Sequence, residues 1–321
     1  MKALWWNIAE WIKSGGIDVL VPFYHGVSPD PAMFSEGLYP HKTPAAFERE
    51  VEYLVRRFRP VDIEELIGFI RRGERPDKPL VHLTFDDGLR SVFEYALPVL
   101  KAKGIPATVF VNTAFIDNRD MFYRYKAVLL QKHLEAHPGL TWEDDAEGVA
   151  EAGGLTEYIS RIEYDNRHLL DEIATATGFD FKAFLDREKP YLSSEQIRTW
   201  LSEGFGLGSH SIDHPYFAGL DEEEQLRQVN VSLDYLSEHF GIPYRAFAFP
   251  FEDLGVSRNF FDRMKVDISF GTAGLKTDPI PNHLQRMDWE RCPGNPGSYL
   301  LAGYLKYLLK IPLSKHRIYR N

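Results

Sequence analysis

The apolar positions along the chain alternate between short continuous runs and runs with helical spacing. Six short runs, bounded by Gly, Pro or polar residues, are typical of buried β-strands. These runs span 19–25, 80–86, 107–112, 206–210, 246–250 and 267–272. Two predicted helices each have an apolar face, formed in the first by Phe47, Val51, Leu54 and Phe58 and in the second by Leu226, Val229, Leu233 and Leu236. Strands that alternate with helices predict parallel βαβ units, and therefore an open doubly wound sheet or a barrel.

Residues 115–190 break this alternation. The segment is rich in Glu, Asp, Arg and Tyr, and it has helical spacing over 123–133 and 155–177 without a convincing strand. We interpret it as a helical insertion within a single domain that spans 1–321. Two roles remain open for it: a lid over a functional site, or an elaboration that packs on the side of the barrel.

Composition and charge narrow the classes of function. The chain has 321 residues, of which 44% are hydrophobic, and this is enough for a large buried core. A formal charge of −10 argues against nucleic-acid binding, which requires a basic face. Because Cys292 is the one cysteine, an internal disulfide and a Cys-based zinc site are excluded. Any metal would need His and carboxylate ligands.

The sequence also bears on location. It contains no apolar run of the roughly eighteen residues that a membrane span needs. Its N-terminal segment lacks a small-residue cleavage site, so we expect a cytoplasmic protein. Amphipathic stretches at both ends allow peripheral membrane contact, although such helices more often cover a barrel face. Their residues are Trp5, Ile8 and Ile12 at the start, and Leu301, Leu305, Leu308, Leu309, Lys310, Lys315, Arg317 and Arg320 at the end.

Two adjacent carboxylates follow the second strand-like run. Asp86 and Asp87 lie in a Thr-Phe-Asp-Asp-Gly sequence. Burying two carboxylates together is costly unless a cation neutralises one of them. Gly88 would let the backbone turn so that both side chains reach the mouth of a barrel. The pattern favours one aspartate as a metal ligand and the other as a base; a surface turn is the alternative.

Two histidines follow another strand-like run. His210 and His214 would share a face if the segment is helical, and could hold one ion if it forms a tight loop. Imidazoles with one carboxylate suit Zn²⁺, and Co²⁺, Ni²⁺ and Fe²⁺ are also compatible. Unrelated histidines near a loop are the alternative. Because this pair and the aspartates both follow predicted strands, we expect both motifs at the same rim.

These motifs, in this order, resemble the polysaccharide deacetylases with the NodB homology domain. The resemblance rests on residues 84–88, 209–214 and 247–251, and it covers residues 18–114 and 191–290. It implies a distorted (β/α)7-type barrel, to which the helical insertion is added. It also implies a metal-dependent hydrolase that removes the N-acetyl group of an amino sugar or N-acetylated glycan and releases acetate. The implied cofactor is one divalent ion, with Zn²⁺ favoured.

The resemblance further implies roles for individual residues. Asp86 would be the general base. The backbone N–H of Phe251, which follows Pro250, would face the oxyanion. The implied metal ligands are Asp87, His210 and His214.

The acid histidine that the family carries near its C-terminus has no counterpart here in its usual motif. His25, at the end of the first strand-like run, takes its place. This order resembles the circularly permuted branch of the family, which includes the poly-N-acetylglucosamine deacetylases of biofilm systems. His25 is therefore the candidate general acid, and capping of a strand is its alternative role.

Many family members also carry an arginine just before the proline of the third motif, where this chain has Phe249. Arg286 would supply the missing charge and orient Asp86. Arg245 and Asp288 are weaker candidates for the same role.

Other functions remain open. One is a deformylase or another amide hydrolase that acts on a non-polymeric or lipid-linked intracellular substrate. Another is a non-catalytic carbohydrate-binding protein, although binding alone would not need Asp86. A nucleotide-sugar transferase fits poorly, because the His-x-x-x-His pair has no part in that chemistry.

Overall fold

The strand-like runs form a nearly closed barrel of parallel strands. The structure is a computed structural model that describes residue 12 and residues 16–320. Its strands are β1 (Val19–Leu20), β2 (Pro22–Tyr24), β3 (Arg59–Pro60), β4 (Leu80–Val81), β5 (Leu83–Phe85), β6 (Ala107–Val111), β7 (Gly206–Ser209), β8 (Ala246–Ala248), β9 (Ile268–Gly271), β10 (His283–Gln285) and β11 (Met287–Asp288). Eight of them form one sheet in the order β10-β9-β8-β7-β6-β5-β2-β11, with every pairing parallel.

The two edges of this sheet are joined by consecutive residues. β10 pairs with β9 at one edge, and β11 pairs with β2 at the other. Only Arg286 separates β10 from β11, and its backbone N–H donates to Gly271 O at 3.0 Å. The eight strands therefore occupy seven positions around the barrel, and the predicted barrel is confirmed.

The first two predicted strand runs are each divided. β4 pairs with β1 on one side and with β3 on the other in a separate three-stranded sheet, whereas β2 and β5 belong to the barrel. The breaks fall at Val21 and His82, and both side chains are buried. Sequence reasoning found the apolar runs but could not see that their halves pair with different neighbours, because pairing partners are not encoded in one run. The strands at 283–288 were missed because they are short and carry polar residues.

Helices surround the barrel and give it a buried apolar interior. They are α1 (Pro44–Arg57), α2 (Ile63–Arg72), α3 (Leu97–Lys103), α4 (Tyr123–Ala136), α5 (Ala146–Ala152), α6 (Leu155–Ser160), α7 (Leu169–Thr177), α8 (Phe181–Glu188), α9 (Ser194–Ser202), α10 (Glu222–Phe240), α11 (Arg258–Arg263) and α12 (Pro296–Lys310). The two predicted apolar faces lie on α1 and α10 and are buried. Burial of such faces is the main stabilisation of helices that would be marginal alone.

The segment 115–190 consists mainly of α4 to α8, which lie between β6 and β7 in the sequence. The helical stretch expected over 155–177 is divided into α6 and α7. The segment has its own apolar cluster, which includes Tyr125, Leu130 and Ile173 and also contacts Leu89 and Tyr191 of the barrel region. That it is an insertion within one domain stays a prediction, but its contacts place it against the loops that follow the barrel strands.

The structure treats the two terminal stretches differently, because Leu305, Leu308 and Leu309 are exposed whereas Ile12 is not. Trp5 and Ile8 lie outside the described residues, and Ile12 is fully buried. α12 buries Leu300, Tyr304 and Tyr307, which leaves Leu309 76% exposed. No helix in the described part of the chain combines the length and apolar character that crossing a membrane requires. Peripheral membrane contact stays a prediction.

Candidate active site

The two adjacent aspartates lie at the carboxyl end of β5. Asp87 and Gly88 have φ angles of 66° and 67°, so the chain turns sharply there. A Cβ atom at Gly88 would lie 2.8 Å from the Val111 Cγ1 atom, so both the conformation and the space require glycine. The turn buries both carboxylates: Asp86 is 2% exposed and Asp87 3%. Each carboxylate therefore needs compensating partners.

Asp86 is held by Arg286 in a bidentate ion pair. Arg286 Nη1 donates to Asp86 Oδ1 at 2.6 Å, and Nη2 donates to Oδ2 at 2.7 Å. Arg286 reaches this position because it is the residue between β10 and β11, where the barrel closes. Burial raises the pKa of Asp86, but the charge and hydrogen bonds of Arg286 together with the nearby His210 and His25 outweigh that effect, and the net pKa is lowered. Asp86 is therefore ionised at neutral pH.

The Asp87 carboxylate has two different environments. Its Oδ2 atom accepts a hydrogen bond from the Tyr125 hydroxyl at 2.6 Å. Its Oδ1 atom is buried and has no hydrogen-bond partner among the described residues. Instead, Oδ1 lies 3.7 Å from His210 Nε2 and 3.3 Å from His214 Nε2. A buried carboxylate oxygen that faces two imidazole nitrogens is costly unless a cation or proton lies between them.

The two histidines lie on a tight loop, which decides between the two arrangements that the sequence left open. Ser211 and His214 have φ angles of 76° and 65°, so the loop after β7 turns back on itself. His210 Nδ1 lies 2.8 Å from Ala248 O and must donate to that carbonyl, so the lone pair of Nε2 faces Asp87. Burial lowers the pKa of His210 to about 4, which keeps the ring neutral and able to bind a metal.

These three side chains fit a divalent metal ion. One ligand atom from each of Asp87, His210 and His214 lies within 4.8 Å of the others. The donor set of one carboxylate and two imidazoles is that of metal-dependent hydrolases, and the unpaired Oδ1 atom needs a cation. The structure therefore brings the three predicted ligands together.

His25 lines the cavity that Asp86, Asp87 and His214 also line. Its Nδ1 atom donates to Glu290 Oε2 at 2.8 Å, and the backbone amides of His25 and Gly26 donate to Glu290 Oε1 at 2.6 and 3.2 Å. The imidazole ring stacks on Tyr39 with centroids 4.2 Å apart. Burial lowers the pKa of His25, but Glu290 outweighs it, and the net pKa is raised to about 10. Near neutral pH the ring is protonated.

The candidate acid, the candidate base and two of the three candidate metal ligands line one cavity of about 190 Å³. It is lined by His25, Asp86, Asp87, His214 and Phe251, among others. The strand ends of β2 and β5 and the loop after β7 supply most of these residues, as expected for the carboxyl end of a parallel barrel.

The turn at Phe251 has a constrained geometry. Phe251 has a φ angle of 56°, and its carbonyl accepts a hydrogen bond from Thr272 Oγ1 at 2.7 Å. Asp253 anchors the end of the turn, because its Oδ1 atom accepts from the Thr272 backbone N–H at 3.3 Å. Phe251 lies at the cavity, and Pro250 is the buried residue before it.

Arg245 and Asp288 were the weaker candidates for the residue that orients Asp86, and of these two Asp288 lines this cavity. Arg245 lies elsewhere and is paired with Asp234 at 2.6 Å.

Three residues at the site were not predicted from the sequence: Glu290, Tyr39 and Tyr125. Glu290 lies four residues after Arg286, so its position just past β11 was a usable signal. No local pattern marked either tyrosine, because both reach the site through tertiary packing.

A second cluster with metal-ligand chemistry is already neutralised by a protein cation. Asp253, Asp278 and His283 also bring ligand atoms within 4.8 Å of one another. The Arg320 Nη2 atom contacts both carboxylates, at 2.7 Å from Asp278 Oδ2. Arg320 therefore takes the place that a metal would occupy, and it ties the C-terminal residues to the turn at 249–253.

A larger cavity adjoins the first one. Its volume is about 590 Å³, in the range of small-ligand sites. Arg124, Phe251 and Thr272 line both cavities, so the two are adjacent. The aromatic side chains of the larger cavity are Tyr123, Tyr164, Tyr216 and Phe251, and its carboxylates are Glu163, Asp165 and Glu252.

Comparison with known proteins identifies the family. A sequence model described as polysaccharide deacetylase matches residues 73–262. The chain belongs to the polysaccharide deacetylase family. This family assignment confirms the resemblance that the motifs carried, although the circularly permuted branch stays a prediction.

One curated relative of this chain is a chitin deacetylase from Pestalotiopsis sp, 28% identical over 133 residues. The match covers 41% of this chain and 40% of the relative, so the chain spans less than half the length of that protein.

Several solved structures share the fold of this chain. IcaB from Ammonifex degensii has a TM-score of 0.55 at 19% identity, over 89% of this chain and 97% of IcaB. The Streptococcus pyogenes deacetylase PplD, solved in complex with acetate, has a TM-score of 0.54 at 16% identity, over 84% of this chain and 91% of PplD.

Proposed function

We propose that this deacetylase hydrolyses the N-acetyl group of an amino sugar within a glycan, releases acetate and depends on one divalent ion. The observation that carries the proposal is the convergence of Asp87 Oδ1, His210 Nε2 and His214 Nε2, next to a cavity that Asp86, Asp87 and His214 line. A cation site next to an ionised carboxylate that is not itself a ligand is the arrangement that metal-assisted hydrolysis requires.

Asp87, His210 and His214 would hold the ion, and Zn²⁺ suits this donor set best. When bound, such an ion lowers the pKa of a water molecule to about 7 and polarises a carbonyl group. The chain itself supplies the remaining chemistry. In particular, His210 is presented in the correct tautomer by Ala248.

Asp86 would act as the general base. Arg286 fixes the plane of the carboxylate and keeps it ionised, so Asp86 can accept a proton from the attacking water. The same ion pair prevents Asp86 from turning away from the cavity. A positioned base of this kind contributes about 10²–10⁴-fold in rate.

His25 would act as the general acid. The Glu290 carboxylate binds Nδ1, so the Nε2–H of the protonated ring is the group that can donate to the leaving amine. A pKa of about 10 keeps this proton on the ring at neutral pH. The backbone N–H of Phe251 would donate to the oxygen of the acetyl carbonyl as it gains negative charge.

The adjoining cavity supports a glycan rather than a single sugar as the substrate. The reaction cavity has a volume of only about 190 Å³, whereas the adjoining cavity of about 590 Å³ would offer aromatic faces and polar side chains to further sugar rings. Membership in the polysaccharide deacetylase family agrees with such a substrate.

The proposal is tested by a screen for acetate release from N-acetylglucosamine and its oligomers. Metal-stripped protein is assayed alone and after addition of Zn²⁺, Co²⁺ or Ni²⁺. We expect acetate release only after an ion is restored, with oligomers turned over faster than the monomer. Equal release by metal-stripped and metal-restored protein would contradict metal dependence, and no release from any N-acetylated sugar would contradict the substrate class.

A further inference from the structure

One contact joins the helical segment to the proposed metal site. Tyr125, on α4, donates from its hydroxyl to Asp87 Oδ2 at 2.6 Å. We infer that Tyr125 is a positioning residue that orients the Asp87 carboxylate, so that a single oxygen is presented to the metal ion. The inference rests on the proposed assignment of Asp87 as a metal ligand.

The two oxygens of Asp87 show why such a positioning group matters. A carboxylate can bind a divalent ion through one oxygen or two, and its terminal torsion is soft. The hydrogen bond from Tyr125 occupies Oδ2, whereas Oδ1 has no hydrogen bond and faces His210 and His214. Tyr125 therefore selects the torsion at which Oδ1 points toward both imidazoles.

Tyr125 is itself held in place. Its ring is fully buried and lies in contact with the rings of Phe34 and Phe122 at centroid distances of 4.9 and 5.1 Å. Its hydroxyl also contacts the Tyr39 hydroxyl. Because Tyr125 gives its only hydroxyl proton to Asp87, its oxygen must accept the proton of Tyr39.

The contact through Tyr39 extends to the proposed acid. The Tyr39 ring is parallel to the His25 ring within 2°. One connected set of side chains thus runs from His25 through Tyr39 and Tyr125 to Asp87. Partners that orient a metal ligand in this way are worth about 10–100-fold in metal affinity.

The test compares the metal affinity of Tyr125→Phe with that of a matched control. Tyr191→Phe removes another buried hydroxyl, which accepts from the Phe122 backbone N–H at 3.0 Å and has no hydrogen bond to Asp87. The Zn²⁺ dissociation constant of each full-length protein is measured by competition with a chromophoric chelator. The Co²⁺ absorption spectrum reports the ligand geometry, and the unfolding temperature reports whether each variant is folded.

We expect Tyr125→Phe to bind Zn²⁺ about 10–100-fold more weakly, with an altered Co²⁺ spectrum. Tyr191→Phe should keep the wild-type affinity even if its unfolding temperature falls. Tyr39→Phe keeps its ring against His25 and should weaken Zn²⁺ binding less than Tyr125→Phe does. Because it leaves the Tyr125 contact in place, it provides a second folded variant.

Two results would overturn the inference, and they differ in what else they overturn. If wild type and Tyr125→Phe bind Zn²⁺ equally well and give the same Co²⁺ spectrum, Tyr125 does not position Asp87, although the metal site stands. If the wild-type protein binds no divalent ion at all, the proposed metal site fails and the inference fails with it.

Discussion

The barrel rim and the helical segment 115–190 contribute to the candidate site in different ways. The rim supplies the groups with direct chemical roles, each placed by the end of a strand: His25 after β2, Asp86 and Asp87 after β5, and His210 after β7. The helical segment supplies the surroundings of these groups. The Tyr125 hydroxyl donates a hydrogen bond to Asp87, and the centroids of the Phe122 and His214 rings are 4.1 Å apart.

This difference indicates that substitutions in the barrel rim and in the helical segment should have different consequences. Strand ends fix the position of a side chain through backbone pairing, which changes little when surface residues change. The helical segment acts through side-chain contacts and can alter metal affinity or substrate fit without altering the reacting groups. Substitutions at the rim should therefore abolish turnover, whereas substitutions in the segment should modulate it.

The largest expected effect is at Asp86. Asp86→Asn keeps the size of the side chain but removes the proton acceptor, so kcat should fall by about 10²–10⁴-fold. Zn²⁺ content should remain at the wild-type level, because Asp86 is not a proposed ligand. Steady-state kinetics with metal analysis of the same sample checks both statements, and a variant with full activity would refute the role of the base.

The second-largest effect is expected on the stability of the Arg286→Met variant. It leaves the Asp86 carboxylate buried without its cation, which costs about 3–5 kcal/mol in the free energy of unfolding. The double variant Arg286→Met with Asp86→Asn should recover part of that loss, because the unpaired charge is gone. Urea unfolding of both proteins measures the difference. Equal stability of the single and double variants would show that the ion pair does not hold the barrel closure.

A smaller effect is expected in the pH profile of Glu290→Gln. Glu290 raises the pKa of His25 against the opposing effect of burial, so the acid stays protonated up to about pH 10 in the wild type. Without that carboxylate, the pKa of His25 falls, and kcat/KM should begin to decline at a lower pH. If kcat/KM declines at the same high pH in both proteins, His25 is not the general acid.

The smallest effect is expected from Tyr164→Phe in the helical segment. The Tyr164 hydroxyl donates to Asp213 Oδ1 at 2.7 Å, and Asp213 lies in the loop between the two histidines. Loss of one such hydrogen bond costs about 0.5–1.5 kcal/mol, so metal affinity should fall by no more than about tenfold. A loss of turnover as large as that in Asp86→Asn would break the distinction between rim and segment.

Much of the rim could be predicted from the sequence because its signals are local. Asp86 and Asp87 are adjacent, and His210 and His214 are four residues apart, so each motif is visible in a short window. Arg286 was accessible for a different reason: Phe249 stands where related proteins carry an arginine, and another cation was needed to pair with Asp86. The structure brings these residues together at one end of the barrel.

The remaining features of the site and the fold could not be predicted, because they depend on packing between segments that are distant in the sequence. Glu290 and His25 are 265 residues apart and meet only when β11 pairs with β2. Tyr125 has the helical spacing of an ordinary core residue, and nothing in its neighbours indicates that its hydroxyl reaches Asp87. The break of the first strand run into β1 and β2 has the same origin, since it reflects pairing with different partners.

The most direct test of the account is the metal content of single-ligand variants. Wild-type protein, His214→Gln and His283→Gln are each loaded with Zn²⁺, dialysed and measured by elemental analysis. We predict about one equivalent in the wild type and in His283→Gln, whose cluster already holds Arg320, and loss of the ion in His214→Gln. Retention of the ion by His214→Gln together with its loss in His283→Gln would contradict the account.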